Sequence, residues 1–415
     1  MKKLNVKFAA MLLLGITVVP AMTFLLWRFQ VGRNASNLLD RATIEREAED
    51  YREAIRLQER YLAYQSEDSD QLCQLALDYL LLIDTNPDND VNRLDLGRAY
   101  SRCEEALRQV PDHHELRKKT CDFMVQVGRY GDAVDHLELM RSSLATEFDS
   151  ASAVQLARCM IMIGDPDSAK RELHALLGFD PQTNSFDDQK ATAPDNVEAY
   201  LSLATLYRAD FEPELAEPLM DQAVRANPDN YKAFLERSKS ILRYSTGEDR
   251  LERAKADIER ALDLSPDDEQ VLLTAAGIAA SDGDFLTAEA HLNHGIQEHP
   301  ENVALIASRS DVAQMQGKPE EAMKWLEQGL EENLQSPILM LKKCEHELAQ
   351  KDVEAARDSL EILRSLDTRT DWVNYLEVRM LMVDGHWRRA SRQLEEIMNT
   401  LIARNPQLAT QVYLS

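Results

Sequence analysis

The sequence predicts an all-α protein in which one helix-turn-helix unit is stacked many times, because residues of the same type recur at a constant spacing. An alanine recurs every 34 residues through the second half of the chain, and an apolar residue follows it four positions later. The alanines are Ala254, Ala288, Ala322, Ala356 and Ala390, and the apolar residues are Ile258, Leu292, Leu326, Leu360 and Leu394. Glycines five residues before several alanines, and prolines that close many units, keep the same phase. A fixed period of this length indicates a copied structural unit.

The segment 197–230 is the clearest single unit. Its characteristic residues are Tyr200, Leu203, Ala204, Tyr207, Ala216, Met220, Ala223 and Pro228. Tyr200, Leu203 and Tyr207 share one face of a first helix because of their spacing. Ala204 and Ala216 are small because a larger side chain would overpack a close helix crossing. Pro228 stops the second helix.

This unit resembles the tetratricopeptide repeat (TPR), a 34-residue helix-turn-helix with large, small and aromatic residues at set places and a closing proline. Similar units can be traced over roughly residues 35–404. The resemblance implies a right-handed superhelical solenoid of about ten TPR units. It also implies that the first helix of each unit lines a concave face, along which ligands, usually peptides, lie.

The register divides the chain into six segments. They are a short N-terminal tail (1–7), a transmembrane signal-anchor helix (8–27), N-terminal TPR units with insertions (35–183), a polar loop (184–196), regular TPR units (197–404) and a C-terminal tail or capping helix (405–415). The insertion from Gln182 to Asn196 is polar and contains proline, so an exposed loop is expected there.

The N-terminal segment from Phe8 to Trp27 has twenty residues without a charge, a length that spans a bilayer as a helix. Lys2, Lys3 and Lys7 favour a cytoplasmic N-terminus, which would put the repeats outside the cytoplasmic membrane, in a periplasm. Cleavage after Ala21, which would give a secreted form, is the alternative.

The net charge of −25, from 72 acidic and 47 basic residues, argues against general nucleic-acid binding, which needs a positive face. The acidic excess is typical of solvated helix faces, and an acidic surface that serves a basic partner is the alternative. No glycine-rich phosphate loop, nucleophile elbow or Cys-x-x-Cys motif is present, so no enzyme activity, cofactor or small-molecule substrate is expected. His291 and His294 have a spacing that can face a metal ion, but an exposed helix face is favoured, and no metal is expected.

The five cysteines show no close pairing in sequence. Cys121 and Cys344 fall at the small-residue position of Ala204 in their units, which predicts packing in the core. The spacing leaves open whether any of the five cysteines form a disulfide.

Counting from the register, outward positions on the first helices carry more basic residues than the net charge suggests. The candidate peptide-binding residues are Lys118, Lys119, Arg158, Arg208, Lys232, Lys239, Trp372, Tyr375 and Arg379. Arginine and lysine pair with carboxylates, and the two aromatic side chains offer apolar anchoring. The groove is therefore expected to bind an extended acidic or C-terminal segment of a partner protein. Acidic residues at similar positions, such as Glu198 and Asp311, favour instead an ordinary solvated surface.

Together these features predict a membrane-tethered protein-protein interaction scaffold, with a role in envelope biogenesis, secretion or polysaccharide export. The alternative is a regulatory or substrate-delivering subunit of a membrane-bound enzyme complex. A tether raises the effective concentration of the groove for partners at the membrane in either case.

Overall fold

The computed structural model describes residues 33, 35–84, 93–143, 148–187, 189–366 and 370–404. Within these ranges the chain forms twenty α-helices and one short β-hairpin, which confirms the predicted all-α class. The chain divides into two compact units, Met1–Leu215 and Ala216–Ser415, and each is described by itself.

The first unit holds nine helices and the hairpin. These are α1 (35–47), α2 (Tyr51–Leu62), α3 (Ser69–Asp84), α4 (Arg93–Gln109), α5 (His114–Gln126), α6 (Tyr130–Ser143), α7 (Ser150–Met162), α8 (Pro166–Leu177), β1 (Phe179–Asp180), β2 (Ser185–Phe186) and α9 (Val197–Ala209). Consecutive helices pack against each other, and the apolar core lies between them.

The second unit contains α10 (Pro213–Ala226), whose first turn precedes the boundary, followed by five helix pairs. The pairs are α11 (Tyr231–Tyr244) with α12 (Arg250–Leu264), α13 (Glu269–Ser281) with α14 (Phe285–Glu298), α15 (Val303–Met315) with α16 (Pro319–Glu332), α17 (Pro337–Ala349) with α18 (Val353–Ser365), and α19 (Thr370–Val383) with α20 (Trp387–Arg404).

The alanines of the 34-residue register lie where the two helices of a pair cross. All five are almost completely buried, so a larger side chain at these positions would collide with the partner helix. A small residue on the first helix donates a hydrogen bond across the crossing to the alanine carbonyl. Ser238 Oγ lies 2.8 Å from the Ala254 oxygen, and Ser310 Oγ lies 3.0 Å from the Ala322 oxygen.

Buried cysteines occupy the same kind of position. Cys344 Sγ lies 3.5 Å from the carbonyl oxygen of Ala356, and Cys121 is fully buried in the first unit. The predicted core packing of Cys121 and Cys344 is therefore confirmed. All five cysteines are free and buried. Burial raises the pKa of every one of these thiols, to about 12 for Cys103, Cys121 and Cys344.

Eight turns between a first and a second helix share one backbone conformation. In each, one residue has a positive φ, its N–H bonds the carbonyl three residues earlier, and the next N–H bonds the carbonyl five residues earlier. Glycine occupies that position in five turns, at Gly128, Gly164, Gly283, Gly317 and Gly385. The other three turns carry Glu49, Phe211 and Lys351, with φ values of 61°, 63° and 62°.

The insertion after α8 is mostly exposed, as its composition indicates, but it also contains a short folded hairpin. Strands β1 and β2 pair in an antiparallel hairpin, with Phe179 opposite Phe186. Gly178, at φ 63°, allows the chain to turn from α8 into the hairpin. A Cβ at this glycine would overlap the carbonyl oxygen of Asp187 and lie 2.9 Å from the Ala191 nitrogen. The hairpin is thereby held against the end of α8.

Aromatic side chains attach the hairpin to α8 and α9. Phe179 is buried against His174 and Tyr207, and Phe186 lies against Tyr200, with ring centroids 5.7–6.0 Å apart. The two phenylalanine rings are 4.9 Å apart. His174 Nε2 lies 2.7 Å from the Tyr207 hydroxyl, and the two rings are stacked. Two phenylalanines in a mostly polar segment therefore attach the hairpin to α8 and α9 through apolar contacts.

Acid is expected to weaken this attachment. Burial, followed by the positive charge of Lys170, lowers the pKa of His174, although Asp180 acts in the opposite direction. An unfolded histidine has a pKa of about 6.5. Between that pH and the lower pKa of folded His174, the unfolded chain therefore binds more protons than the folded chain. Stability of the first unit should therefore be lost as the pH falls below about 6.5.

Urea denaturation at pH 7.5 and pH 5, followed by circular dichroism, measures this loss. The pH dependence should shrink in His174→Gln and stay unchanged in the control His294→Gln, whose histidine lies in the second unit. An equal pH dependence in all three proteins would contradict the assignment to His174.

Two arginines of the described chain each bond both carboxylate oxygens of a buried aspartate. In the first unit, Arg46 Nε lies 2.8 Å and 2.9 Å from the two carboxylate oxygens of Asp78, which is completely buried. Gln74 adds a hydrogen bond of 3.0 Å to the same carboxylate. In the second unit, Arg237 bonds both oxygens of Asp257 at 2.8 Å and 2.6 Å. Each arginine links a helix to the next but one or to its pair partner.

The predicted membrane helix, residues 8–27, lies outside the described residues. Within the ranges that are described, no helix is both long enough and apolar enough to cross a bilayer.

Candidate interaction surface

First helices of successive pairs lie side by side in each unit. In the second unit α11 contacts α13, α13 contacts α15, α15 contacts α17 and α17 contacts α19; in the first unit α3 contacts α5 and α7 contacts α9. The outward side chains of the first helices in each unit are here called the first-helix face. The candidate residues chosen from the sequence all lie on first helices: α5, α7 and α9 in the first unit, and α11 and α19 in the second.

On the first unit, the exposed candidate cations have acidic partners on the neighbouring first helix or at its start. Lys118 Nζ lies 2.9 Å from Asp149 Oδ2, and Arg158 Nη1 lies 2.7 Å from Glu198 Oε1. Burial raises the pKa of Asp149, but hydrogen bonds from Lys118 and Ser152 outweigh it and lower that pKa to about 2. The carboxylate of Asp149 is therefore charged at neutral pH.

The two other candidates of the first unit, Lys119 and Arg208, are only partly exposed. A further cross-link between first helices joins Gln155 Nε2 to Asp122 Oδ1 at 2.8 Å. Polar bridges of this kind connect α5 to α7 and α7 to α9. Because their members are half exposed, each bridge contributes little to stability and can exchange for a contact with a ligand.

On the second unit, the candidates of α11 differ from each other. Lys239 Nζ lies 3.2 Å from Glu236 Oε1 on its own helix, whereas Lys232 is exposed and its Nζ lies 6.0 Å from the Tyr231 ring centroid. No ion pair of Lys232 is found among the described residues. Lys232 is therefore the most available cation of the candidate set on this unit.

The candidates of α19 are grouped around one buried ring. Tyr375 is only 3% exposed and packs against Leu394, Ile397 and Met398, so its ring belongs to the interior between α19 and α20. Trp372 is half-buried and meets the Tyr375 ring edge-on at 6.3 Å, and the Arg379 guanidinium lies 6.0 Å from that ring. Only Trp372 and Arg379 present surface that a ligand can touch.

A charged cluster on α15 and α17 lies on the same face but is not among the candidates predicted from the sequence. Lys342 Nζ lies 2.9 Å from Asp311 and 3.8 Å from Glu345. Burial alone would lower the pKa of Lys342, but Asp311 raises it; burial raises the pKa of Glu345. The same register positions that selected Lys119 and Arg158, six and nine residues into a unit, also select Lys342 and Glu345.

Between the basic residues of α11 and this cluster, the first-helix face carries no charge. Its side chains on α13 and the start of α15 are small or aliphatic, and they are Leu273, Thr274, Gly277, Ala304, Ala307 and Ser308. No atom lies within 4 Å of the place where a Cβ on Gly277 would stand. A peptide backbone can therefore approach α13 closely.

The histidines near the end of α14 are engaged in local contacts. His294 Nε2 lies 2.8 Å from Asp267 Oδ1, and His299 Nε2 lies 2.6 Å from the Asp267 carbonyl oxygen. Burial and then His294 lower the pKa of His291. Among the described residues, no group of three or more His, Cys, Asp and Glu side chains is arranged to hold a metal ion.

Comparison with known proteins finds a family match for part of the chain. Among curated proteins, none matches the sequence. Similar solved structures include a tetratricopeptide repeat protein from Parabacteroides merdae, with 20% identity, a TM-score of 0.46 and coverage of 64% of this chain and 98% of that one.

Two further similar structures are pilF of Pseudomonas aeruginosa, with 18% identity, a TM-score of 0.36 and coverage of 52% of this chain and 96% of that one, and yeast Tom70, with 14% identity, a TM-score of 0.36 and coverage of 92% and 95%. The tetratricopeptide repeat family model matches residues 279–343, from the end of α13 into α17. Residues 279–343 are thus similar to tetratricopeptide repeats, in agreement with the alanine register that runs through them.

Proposed function

We propose that this protein is an interaction scaffold, whose first-helix face on the second unit binds an extended segment of a partner protein. One observation carries the proposal. Exposed Lys232 and partly exposed Lys239 lie on α11, and the uncharged residues around Gly277 follow on α13 and the start of α15. Such a surface matches a segment with a carboxylate, from an acidic side chain or a C-terminus, followed by uncharged residues.

The chemistry of each part supports this match. Lysine ammonium groups form charge-assisted hydrogen bonds with carboxylates. The intrahelical pair of Lys239 with Glu236 is partly exposed, so it is weak enough to exchange for a ligand carboxylate. Because the outward residues Leu273, Thr274 and Gly277 of α13 are uncharged, an apolar segment bound over them removes no ion from water.

Charge reversal tests the proposal. In Lys232→Glu/Lys239→Glu, affinity for acidic peptides should fall about tenfold or more, since each cation is replaced by a repelling charge. Fluorescence anisotropy with peptides that carry Asp and Glu, compared with the same peptides carrying Asn and Gln, measures the change at two salt concentrations. The matched control Lys255→Glu/Lys324→Glu reverses two lysines on second helices, α12 and α16. Unchanged binding in the first variant, or equal loss in the control, would reject the first-helix face as the binding surface.

We propose further that residues 8–27 tether the repeats to a membrane, with the N-terminus in the cytoplasm and the repeats in the periplasm. The uncharged run from Phe8 to Trp27 and the lysines before it support this topology. A scaffold in that place would serve envelope biogenesis, secretion or polysaccharide export. External protease should cut the repeats in spheroplasts and spare them in intact cells; protection in spheroplasts, with a periplasmic control cut, would reverse the orientation.

A further inference from the structure

The turn between α9 and α10 carries a side chain that the backbone there disfavours. Phe211 has φ 63° and is 91% exposed, the highest exposure among the large hydrophobic residues of the described chain. L-residues adopt this left-handed conformation at a cost in free energy, and glycine adopts it without that cost. Five of the eight equivalent turns use glycine accordingly.

The hydrogen bonds of this turn need no aromatic residue. The Phe211 N–H bonds the Arg208 carbonyl at 3.2 Å, and the Glu212 N–H bonds the Tyr207 carbonyl at 2.9 Å. The glycine turn at Gly164 makes the same two bonds, at 3.0 Å and 2.9 Å. Since the fold gains neither burial nor hydrogen bonding from Phe211, its ring is explained neither by packing nor by the turn.

Acidic residues flank Phe211 in the sequence. Asp210, Glu212 and Glu214 are all exposed, and Asp210 is paired with Lys170 on α8. Glu212 and Glu214 have no ion pair among the described residues. The turn therefore presents an apolar ring that is followed in the chain by two available carboxylates, Glu212 and Glu214.

We propose that Phe211 is an anchor for a second protein partner, which holds the ring in an apolar pocket rimmed by lysine or arginine. A buried aromatic anchor inside a polar rim is the usual composition of a strong binding site. Complementary charge on the rim fits Glu212 and Glu214. With a net charge of −25, a second copy of this chain or an anionic lipid surface is a poor match. The anchor is separate from the first-helix face and independent of the proposed function.

A photoreactive phenylalanine analogue at position 211 tests which molecule covers the ring. The full chain with this analogue is irradiated in cells, and the crosslinked peptides are mapped by mass spectrometry. The expected result is one main protein partner, crosslinked through an apolar segment flanked by Lys or Arg. The control carries the analogue at Leu286, which is 80% exposed in the second unit. No product, the same products from both positions, or crosslinks only to lipid or to a second copy would overturn the proposal.

Glycine at the same turn then separates binding from stability. Phe211→Gly should raise the thermal midpoint by about 1–4 °C, because it removes the strained side chain, yet weaken binding of the purified partner about tenfold or more. Lys351→Gly, in a turn of the same geometry, should raise the midpoint similarly and leave the affinity unchanged. Glu212→Lys/Glu214→Lys should weaken binding of the purified partner without raising the thermal midpoint. Full affinity in Phe211→Gly would overturn the anchor.

Discussion

Replacing Arg46 with methionine is expected to lower the free energy of unfolding of the first unit by about 3–5 kcal/mol, because it leaves the buried charge of Asp78 without its partner. The guanidinium bonds both carboxylate oxygens, and Asp78 has no exposure to water. Gln74 would remain as a single neutral donor. Urea denaturation followed by circular dichroism, with hydrogen exchange on α1 and α3, measures the loss.

The double variant Arg46→Met/Asp78→Leu should recover most of this stability, because it removes the uncompensated charge and places apolar groups in the same space. Arg56→Met is the matched control, since Arg56 pairs with Glu53 on the surface of α2 and is 54% exposed in its side chain. Its cost should be much smaller than that of Arg46→Met, because water already solvates both members of this surface pair. If Arg46→Met costs no more than Arg56→Met, the buried pair does not hold α1 to α3.

Replacing Gly178 with alanine should destabilise the first unit by about 3 kcal/mol, from the left-handed backbone and from overlap with neighbouring backbone atoms. The Asp187 carbonyl and the Ala191 N–H belong to the main chain, so they cannot move aside as a side chain would. The hairpin should detach, and limited proteolysis should cut within residues 180–196. Thermal denaturation gives the accompanying loss of stability.

Gly277→Ala is the opposite case and serves as the control. Gly277 lies inside α13 with open space around it, so alanine should stabilise the helix by about 1 kcal/mol. Equal effects of the two substitutions, or resistance of the Gly178→Ala hairpin to proteolysis, would contradict the role given to Gly178.

Positions that repeat in sequence were predictable, because packing imposes the same residue type on every copy. The register alanines, from Ala254 to Ala390, lie at helix crossings as their spacing indicates. The hairpin after α8 was not predictable, since its attachment depends on Phe179 and Phe186, two aromatic residues in a polar segment. Their fit to His174 and Tyr207 is a tertiary contact that periodicity does not encode.

The first-helix face was also only partly predictable from the sequence. Register counting found which residues share the face, but it treated each cation alone. The partners of Lys118 and Arg158 lie 31 and 40 residues away, on or before the next first helix, and insertions change that separation. Tyr375 occupies a position that is outward in other units, yet it turns inward against α20. Neither the pairing nor the rotation of a side chain follows from the period.

The buried cysteines give each unit its own natural reporter of opening. Thiolates, not thiols, react with alkylating reagents, and burial both hides these sulfur atoms and raises their pKa. Labelling must therefore wait for a local or global opening of the helices around each sulfur. Cys73, Cys103, Cys121 and Cys159 record openings of the first unit, and Cys344 records openings of the second. The rate at which each cysteine is modified thus measures how often the helices around it open, separately for the two units.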